Sequence, residues 1–187
     1  MKNTRIQRIA DALLPHIDNK ARLLDIGCGN AQLGRALCER KEIDYLGVDL
    51  VPQGDSGMSV IQSDIPYPFN DASFDTVIVI LTLHHLEEPL KGLKEAARLS
   101  AKKLILLEDV PRNFIERLAM MAVDYISNKV VSIKIPVPFN FLTDTQWKKA
   151  FSDLDLNLVS QKKVYPLPFP RLHHPLYVLE HSSVKDN

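Results

Sequence analysis

Two glycines near the start of the chain have the spacing of a loop that binds a nucleotide cofactor. Gly27 and Gly29 directly follow a short apolar run, and a helical pattern begins at Ala31. Residues without a Cβ let the backbone turn tightly and let a ligand come close to it. The first amides of the following helix point back at such a loop and favour ligand binding there. The spacing therefore predicts a cofactor site between a buried strand and a helix.

The same loop departs from the dinucleotide-binding fingerprint in two ways. The position of the third glycine holds Gln32, and the next glycine, Gly34, comes two residues later. Asp25 lies two residues before Gly27, where its carboxylate would repel a pyrophosphate but suit a cationic ammonium or sulfonium. An oxidoreductase that uses NAD(P) is an alternative, but both departures argue against it.

An acidic residue ends the next predicted strand. Residues 43–48 have the apolar pattern of that strand, and Asp49 follows it, 20 residues beyond Gly29. A carboxylate at this strand tip is placed to accept hydrogen bonds from both hydroxyls of a ribose. Together with the glycine loop, Asp49 predicts a ligand that contains a nucleoside.

Further motifs follow in an order that resembles the class I S-adenosylmethionine-dependent methyltransferases. Residues 59–64 resemble the third strand of that family, and residues 65–75 resemble the segment before its fourth strand. The sequence Leu-His-His-Leu at 83–86 is similar to the end of the fourth strand, and residues 102–109 resemble the fifth. The resemblance covers residues 20–110 closely and the remainder in outline.

This resemblance implies a fold, a cofactor and a set of binding residues. The fold is α/β, Rossmann-like and doubly wound, with a mostly parallel seven-stranded sheet and an antiparallel C-terminal strand. The cofactor is S-adenosyl-L-methionine. The family's acids hold the ribose and the adenine amino group, apolar residues pack on the ring, and the acid before the glycines orients the loop or the ammonium. In this sequence, the resemblance assigns cofactor binding to the following residues: Asp25, Gly27, Cys28, Gly29, Asp49, Leu50, Asp64, Ile65 and Leu81.

Histidines and carboxylates at the ends of the fourth and fifth predicted strands are candidates for a catalytic base. A methyl transfer needs a base only where the acceptor must lose a proton, because the sulfonium already carries a good leaving group. His84 and His85 are the predicted catalytic residues, since histidine titrates near neutral pH, and Glu108 and Asp109 are further candidates. The alternative role for each histidine is to pack beside the cofactor.

Two further histidines, His173 and His174, stand in a proline-rich link between the two last predicted strands. They are expected at the surface or at the rim of the site. No metal site is predicted, because no further ligands occur at suitable spacing. Cys28 and Cys38 are too few for a disulfide scaffold and are expected to be free thiols.

Residues 111–142 form an insertion between the fifth strand and the last helix, and we expect it to carry substrate specificity. Residues 113–128 have the pattern of a helix that is apolar on nearly all sides, with Asn113 as its N-cap. One reading is a core helix, and the other is a lid over a substrate, which its Met, Phe and Tyr side chains would make apolar or aromatic. Thr143 is expected to cap a final helix through Phe151.

Composition predicts one domain over residues 1–187, because the chain is too short for two ordinary domains. The formal charge is zero, with 23 basic and 23 acidic residues, so no net field draws the chain to nucleic acid. The sequence shows neither a secretion signal nor an apolar run long enough for a membrane span, which favours a cytoplasmic protein. The oligomeric state is not predicted.

The predicted function is methyl transfer to an oxygen, nitrogen or carbon of a small, apolar or aromatic molecule. Residues 80–83 replace the Asn/Asp-Pro-Pro-Tyr/Phe motif of the enzymes that methylate base amines, which argues against nucleic-acid substrates. Two alternatives are a non-catalytic scaffold subunit that binds S-adenosylmethionine and a methyltransferase for protein or RNA.

Overall fold

The computed structural model describes residues 4–51, 57–131, 139–167 and 172–182, without the side chains of residue 124 and of residues 127–131. The described strands are β1 (Arg22–Ile26), β2 (Asp44–Asp49), β3 (Val60–Gln62), β4 (Phe74–Ile80), β5 (Ser100–Leu107), β6 (Leu156–Val164) and β7 (His174–His181). The described helices are α1 (Arg5–Leu13), α2 (Gln32–Cys38), α3 (Pro89–Leu99), α4 (Phe114–Val131) and α5 (Asp144–Asp153).

The strands form one sheet in the order β3-β2-β1-β4-β5-β7-β6. The first five strands are parallel to one another, and β7 runs antiparallel to both β5 and β6. Helix α2 connects β1 to β2 and helix α3 connects β4 to β5, and such crossovers produce a parallel sheet covered on both faces. The predicted fold class is confirmed.

Both faces of the sheet are covered at its centre, which explains the apolar runs at 23–24 in β1, 77–80 in β4 and 104–107 in β5. On one face, Leu24 and Val77 pack with α3 and α5, where Trp147 is 1% exposed. On the other face, Leu23 and Ile78 pack with α1 and α2. The sheet is therefore a rigid support for the loops at its edges.

Side-chain caps set the starts of several helices. Thr4 and Thr143 each form a capping box with the glutamine three residues later, at α1 and α5. The Asn113 side chain accepts a hydrogen bond of 2.8 Å from the Glu116 amide at the start of α4. The predicted caps at Asn113 and Thr143 are confirmed.

The fourth strand ends at Ile80, before the Leu-His-His-Leu segment at 83–86 that resembles the end of this strand in the family. Leu81 adopts a left-handed backbone with φ of 53°, and Leu83–His85 form a short 3-10 turn instead of continuing the strand. In the sequence, Pro52, Gly54 and Gly57 predict that residues 51–58 form a turn in place of a second crossover helix, but residues 52–56 lie outside the described residues. Among the described residues, no helix combines the length and the apolar character needed to cross a membrane.

Gly34, the glycine that comes late for the dinucleotide pattern, is where α2 meets β2. A Cβ at this position would lie 2.2 Å from the Tyr45 ring, so only glycine lets the helix come this close. The Tyr45 hydroxyl then donates a hydrogen bond of 2.9 Å to the carboxylate of Asp25 on β1. This contact fixes α2, and the glycine loop before it, against the sheet.

Asp25 is a buried acid, only 2% exposed. Burial raises its pKa to about 7, because the hydrogen bond from Tyr45 offsets only part of the cost of removing the charge from water. In the unfolded chain, the pKa of Asp25 falls back towards that of an ordinary aspartate, 3.8. The folded protein therefore binds this proton more tightly, and Asp25 destabilises the fold as pH rises from about 4 to about 7.

Gly34→Ala is expected to lower the free energy of unfolding by about 1–3 kcal/mol, because the added methyl group overlaps the buried Tyr45 ring. Urea denaturation measures the loss. Gln32→Ala, on the exposed side of the same helix, is the matched control and should change stability by less than about 0.5 kcal/mol. Equal stability of the two variants would contradict the close contact.

Asp25→Asn is expected to remove the decline in stability between about pH 4 and about pH 7 in the ligand-free protein. The asparagine amide oxygen accepts the Tyr45 hydrogen bond and does not ionise. The free energy of unfolding of the variant should therefore rise relative to that of the wild type as pH increases, by on the order of 1–4 kcal/mol. Chemical denaturation at several pH values measures this gap. Asp44→Asn, an exposed acid at the start of β2, is the control, and a gap that stays constant with pH would refute the buried ionisation.

Candidate cofactor groove and strand-end cavity

The parallel register brings the carboxyl ends of four strands to one edge of the sheet. Ile26 lies beside Val48 on β2 and beside Val79 on β4, and Ile80 pairs with Leu107 on β5. The loops after β1, β2, β4 and β5 therefore meet at this edge, where open α/β sheets bind ligands.

The first of two cavities at this edge is the glycine-loop groove, with a volume of ≈ 240 Å³. Seven of the predicted cofactor residues lie in its wall: Gly27, Gly29, Asp49, Leu50, Asp64, Ile65 and Leu81. The rest of its wall includes Ile26, Val51, Ser63, Tyr67, Thr82, His85, Leu86 and Gly92. The acidic oxygens and apolar side chains in this wall suit a nucleoside.

Asp49 holds the glycine loop in place. One carboxylate oxygen accepts a hydrogen bond of 2.7 Å from the Gly29 amide, and the other accepts one of 2.8 Å from the Val51 amide. Gly27 has φ of +73°, and a Cβ there would lie 2.2 Å from the Thr82 side chain. The loop after β1 is thus pressed against the loop after β4, as the glycine pattern requires.

Two predicted cofactor residues lie outside the wall of the groove. Asp25 lies under the glycine loop with its carboxylate bonded to the Tyr45 hydroxyl. Cys28 also lies outside the groove wall, and burial together with the charges of Asp25 and Asp49 raises the pKa of its thiol. Cys28 is therefore a neutral thiol and not a nucleophile. Their assignment to cofactor binding stays a prediction.

The second cavity, the strand-end cavity, has a volume of ≈ 130 Å³ and adjoins the groove through the shared wall residues Leu81 and His85. Leu81 has the left-handed backbone noted above, which turns the chain sharply between the two cavities. The other wall residues of the strand-end cavity are Arg5, His84, Asp109, Met120, Val123, Pro166, Leu167, Leu172 and His174. Both predicted catalytic histidines therefore border it.

Glu108, at the end of β5, organises the wall beside His84. It is fully buried, and its Oε1 accepts hydrogen bonds from the amides of Thr82 and Leu83, at 2.9 and 2.6 Å. Its Oε2 lies 2.6 Å from Nδ1 of His84, which is itself only 2% exposed. The pair has the geometry of a histidine oriented by a carboxylate.

His174 corrects the expectation of a surface or rim histidine. β7 pairs with β5, and this pairing places His174, the first residue of β7, beside the residues that follow β5. Nε2 of His174 lies 2.8 Å from Oδ1 of Asp109. Its Nδ1 lies 3.0 Å from the Leu172 carbonyl oxygen, so both ring nitrogens face an oxygen atom. His173 is half-buried and donates its amide to Glu116.

Asp109 keeps its charge in this setting. Burial alone would raise its pKa, but the hydrogen bond from His174 and the nearby positive charges lower it below the usual value. Among the described residues, no group of three or more His, Cys, Asp or Glu side chains has an arrangement that could hold a metal ion.

Helix α4 covers the strand-end cavity with Met120 and Val123. Its first turn is anchored by Glu116, which is 7% exposed and accepts hydrogen bonds from Arg112 and from the His173 amide. Its predicted apolar stripe is only partly buried, since Phe114 is 72% and Leu118 is 48% exposed. The exposed side leaves an apolar surface facing away from the cavity.

Several wall residues were missed by sequence reasoning. Thr82 directly precedes the Leu-His-His-Leu motif, so its position beside Gly27 could have been found from that motif. Tyr67 belongs to the recognised stretch 65–75 and was assigned no role. Arg5 carried no signal, because it lies on α1, far from the other wall residues in sequence.

Residues 24–106 match a family model described as a methyltransferase domain. The fold is similar to that of the protein solved with the Haloferax volcanii Trm112 methyltransferase activator, with a TM-score of 0.72, 18% identity and coverage of 94% of this chain and 89% of that one.

Two further structures contain S-adenosylhomocysteine. One is 1,6-didemethyltoxoflavin-N1-methyltransferase from Burkholderia thailandensis, with a TM-score of 0.72, 14% identity and coverage of 97% of this chain and 80% of that one. The other is magnesium protoporphyrin IX methyltransferase from Synechocystis PCC 6803, with a TM-score of 0.66, 15% identity and coverage of 95% and 82%.

The donor set of the glycine-loop groove fits the cofactor that this match implies. Asp49 and Asp64 supply carboxylates for hydroxyl and amine donors, Leu50 and Ile65 supply apolar surface, and Gly27 permits close approach to the loop. Over residues 24–106 the chain matches the methyltransferase-domain model, and its fold is that of the class I S-adenosylmethionine-dependent methyltransferases.

Proposed function

We propose that the protein transfers a methyl group from S-adenosylmethionine in the glycine-loop groove to a small molecule in the strand-end cavity. The observation that carries this proposal is the pair of adjoining cavities, which share Leu81 and His85 in their walls. A methyl donor in the groove and a methyl acceptor in the strand-end cavity would therefore be held next to each other. Such positioning accounts for most of the rate enhancement that methyl transfer requires.

Each cofactor residue has a role in this proposal. Asp49 holds the ribose and Asp64 the adenine, while Leu50 and Ile65 pack on the ring. Asp49 also keeps the Gly29 amide in place, so the ribose and the loop are positioned by the same carboxylate. S-adenosylmethionine, when bound, supplies a methyl group already activated by the sulfonium.

The acceptor side is small and of mixed polarity. A volume of ≈ 130 Å³ is comparable with the ~150 Å³ cavity that holds one benzene ring in an engineered protein. Met120, Val123 and Leu172 supply apolar walls, in keeping with an apolar or aromatic acceptor. Imidazoles and the Asp109 carboxylate face the same space and would orient a polar group on that molecule.

In the proposed function, the insertion 111–142 acts as a cover for the acceptor. Its described part places Met120 of α4 at 1% exposure over the strand-end cavity, and Arg117 reaches the carbonyls of Phe139 and Phe141. These contacts join α4 to the chain that leads into α5. A small acceptor held under this cover would be shielded from water.

A scaffold subunit that binds S-adenosylmethionine without turnover is the second candidate. One observation favours it: α4 exposes apolar side chains, with Ile115 78% and Ile126 63% exposed. A structurally similar protein was solved with an activator, which shows that such folds can associate with a partner. A protein or RNA substrate gains no comparable support, because the formal net charge is zero.

Thermal shift assays followed by a methyl-transfer screen test the proposed function. We expect S-adenosylmethionine and S-adenosylhomocysteine to raise the melting temperature, since both would bind the folded state, and NAD(P) to leave it unchanged. Incubation with radiolabelled S-adenosylmethionine and a panel of small single-ring acceptors should yield labelled product. Stabilisation without turnover on any acceptor would favour the scaffold, and stabilisation by NAD(P) alone would refute the assignment.

Asp49→Ala is expected to weaken S-adenosylhomocysteine binding by about 1–3 kcal/mol, because it removes charged hydrogen bonds to the ribose and to the loop. Asp49→Asn, which keeps one oxygen acceptor, should lose less. Isothermal titration calorimetry measures both affinities, and Asp44→Ala at the exposed start of β2 is the control. An affinity that is the same in Asp49→Ala and in the wild type would refute the ribose assignment.

A further inference from the structure

Arg5 brings a positive charge to the wall of the strand-end cavity. It is the first residue of α1, it borders the cavity, and it is exposed. Among the described residues, no side chain or carbonyl forms a hydrogen bond or a salt bridge with its guanidinium group. A guanidinium carries five N–H donors and stays charged at every pH at which proteins are folded. The cavity wall therefore contains charged donors that are available to a bound molecule.

The two carboxylates that follow one another at the end of β5 already have partners. Glu108 accepts hydrogen bonds from two backbone amides and lies 2.6 Å from the ring of His84. Asp109 has a hydrogen bond from His174. Burial works to raise the pKa of Asp109, whereas this hydrogen bond and the nearby charges, including that of Arg5, lower it. Arg5 is therefore close enough to act on Asp109 through its charge, while its own donors stay without a hydrogen-bonded partner among the described residues.

The rest of the cavity favours a small molecule with an apolar body. Met120 and Val123 of α4 border it, as do Leu167 and Leu172 from the chain before β7. Its volume of ≈ 130 Å³ leaves room for about one ring. A ligand pocket of this kind takes most of its contact area from apolar walls and fixes the orientation of its ligand with a few polar groups. Arg5 is a polar group of that kind.

From this arrangement we infer that the methyl acceptor is a small carboxylic acid with an apolar or aromatic body, and that Arg5 determines this specificity by binding its carboxylate. The inference rests on the proposed function and names the substrate class of the same site. Arg5 borders the strand-end cavity and not the glycine-loop groove, whereas Leu81 and His85 border both. A carboxylate at Arg5 would therefore lie away from the methyl donor, and the other end of the molecule can extend towards the shared wall.

A carboxylate suits this cavity better than a phosphate or an ammonium group. Its two oxygens match the planar fork of a guanidinium, which binds them with two parallel hydrogen bonds. Its single negative charge is balanced by the single charge of Arg5. A phosphate dianion would place a second negative charge near Asp109, whose pKa shows that it keeps its own. An ammonium group would be repelled by Arg5, and both Glu108 and Asp109 already have other partners.

Binding of benzoate and benzamide to the protein saturated with S-adenosylhomocysteine tests the inference without turnover. The two probes have nearly the same shape and differ in charge. We expect benzoate to bind about 10-fold more tightly, because its hydrogen bonds to Arg5 join two charged groups, and we expect added salt to reduce this preference. Titration followed by nuclear magnetic resonance measures both affinities. Benzoate binding that is undetectable, or no tighter than that of benzamide or of phenyl phosphate, would overturn the inference.

Three variants of α1 assign the preference to Arg5. Arg5→Gln should abolish the preference for benzoate, and Arg5→Lys should keep part of it, because lysine retains the charge but not the two-pronged donor. Glutamine and lysine both favour helices, and Arg5 is exposed, so these variants should fold. Arg8→Gln, on the same helix but outside the walls of both cavities, is the matched control and should keep the full preference. An unchanged preference in Arg5→Gln would contradict the role of Arg5.

Turnover of matched acceptors separates this inference from the proposed function. Small acids are compared with their amides, such as 4-hydroxybenzoate with 4-hydroxybenzamide. Arg5→Gln should raise KM for the acid about 10-fold and leave kcat, and KM for the amide, unchanged, because it removes a contact made equally in the ground state and the transition state. If the wild type fails to bind S-adenosylhomocysteine, the proposed function fails. If the wild type binds S-adenosylhomocysteine and methylates amides in preference to acids, only the substrate class fails.

Discussion

The carboxylate of Glu108 is the interaction on which the arrangement of the site depends. It lies at the end of β5, fully buried, and binds the amides of Thr82 and Leu83 together with the His84 ring. One side chain thus ties the loop after β4 to the neighbouring strand. A buried carboxylate is costly unless such donors surround it, and here the donors that satisfy it also shape both cavities.

The remaining buried charges near the strand ends are compensated in different ways. Asp109 has a hydrogen bond from His174 across the antiparallel β5–β7 contact. Within the described part of the chain, the Tyr45 hydroxyl is the single hydrogen-bond donor to the Asp25 carboxylate, and the raised pKa of Asp25 reflects this weaker compensation. The first pair keeps a charge in the wall of the strand-end cavity, whereas the second keeps a nearly neutral acid beneath the glycine loop.

Close backbone approach is the second requirement of the site. Gly27 lets the loop after β1 contact Thr82, and Gly34 lets α2 contact Tyr45. The late glycine that argued against a dinucleotide fold therefore has a packing role of the kind that fingerprint assigns to its third glycine.

The sequence alone determined the fold class, the order in which the strand motifs follow one another, and seven of the fifteen residues in the groove wall. Glycine spacing and strand-end acids are local signals, because neighbouring parallel strands end at the same edge. Only the tertiary structure decided how the strand-end cavity is built. Arg5, Asp109 and His174 meet there from α1, the end of β5 and the start of β7, elements that are far apart in sequence. Their pairing depends on the sheet order and on the antiparallel register of β7, which no local pattern of residues encodes.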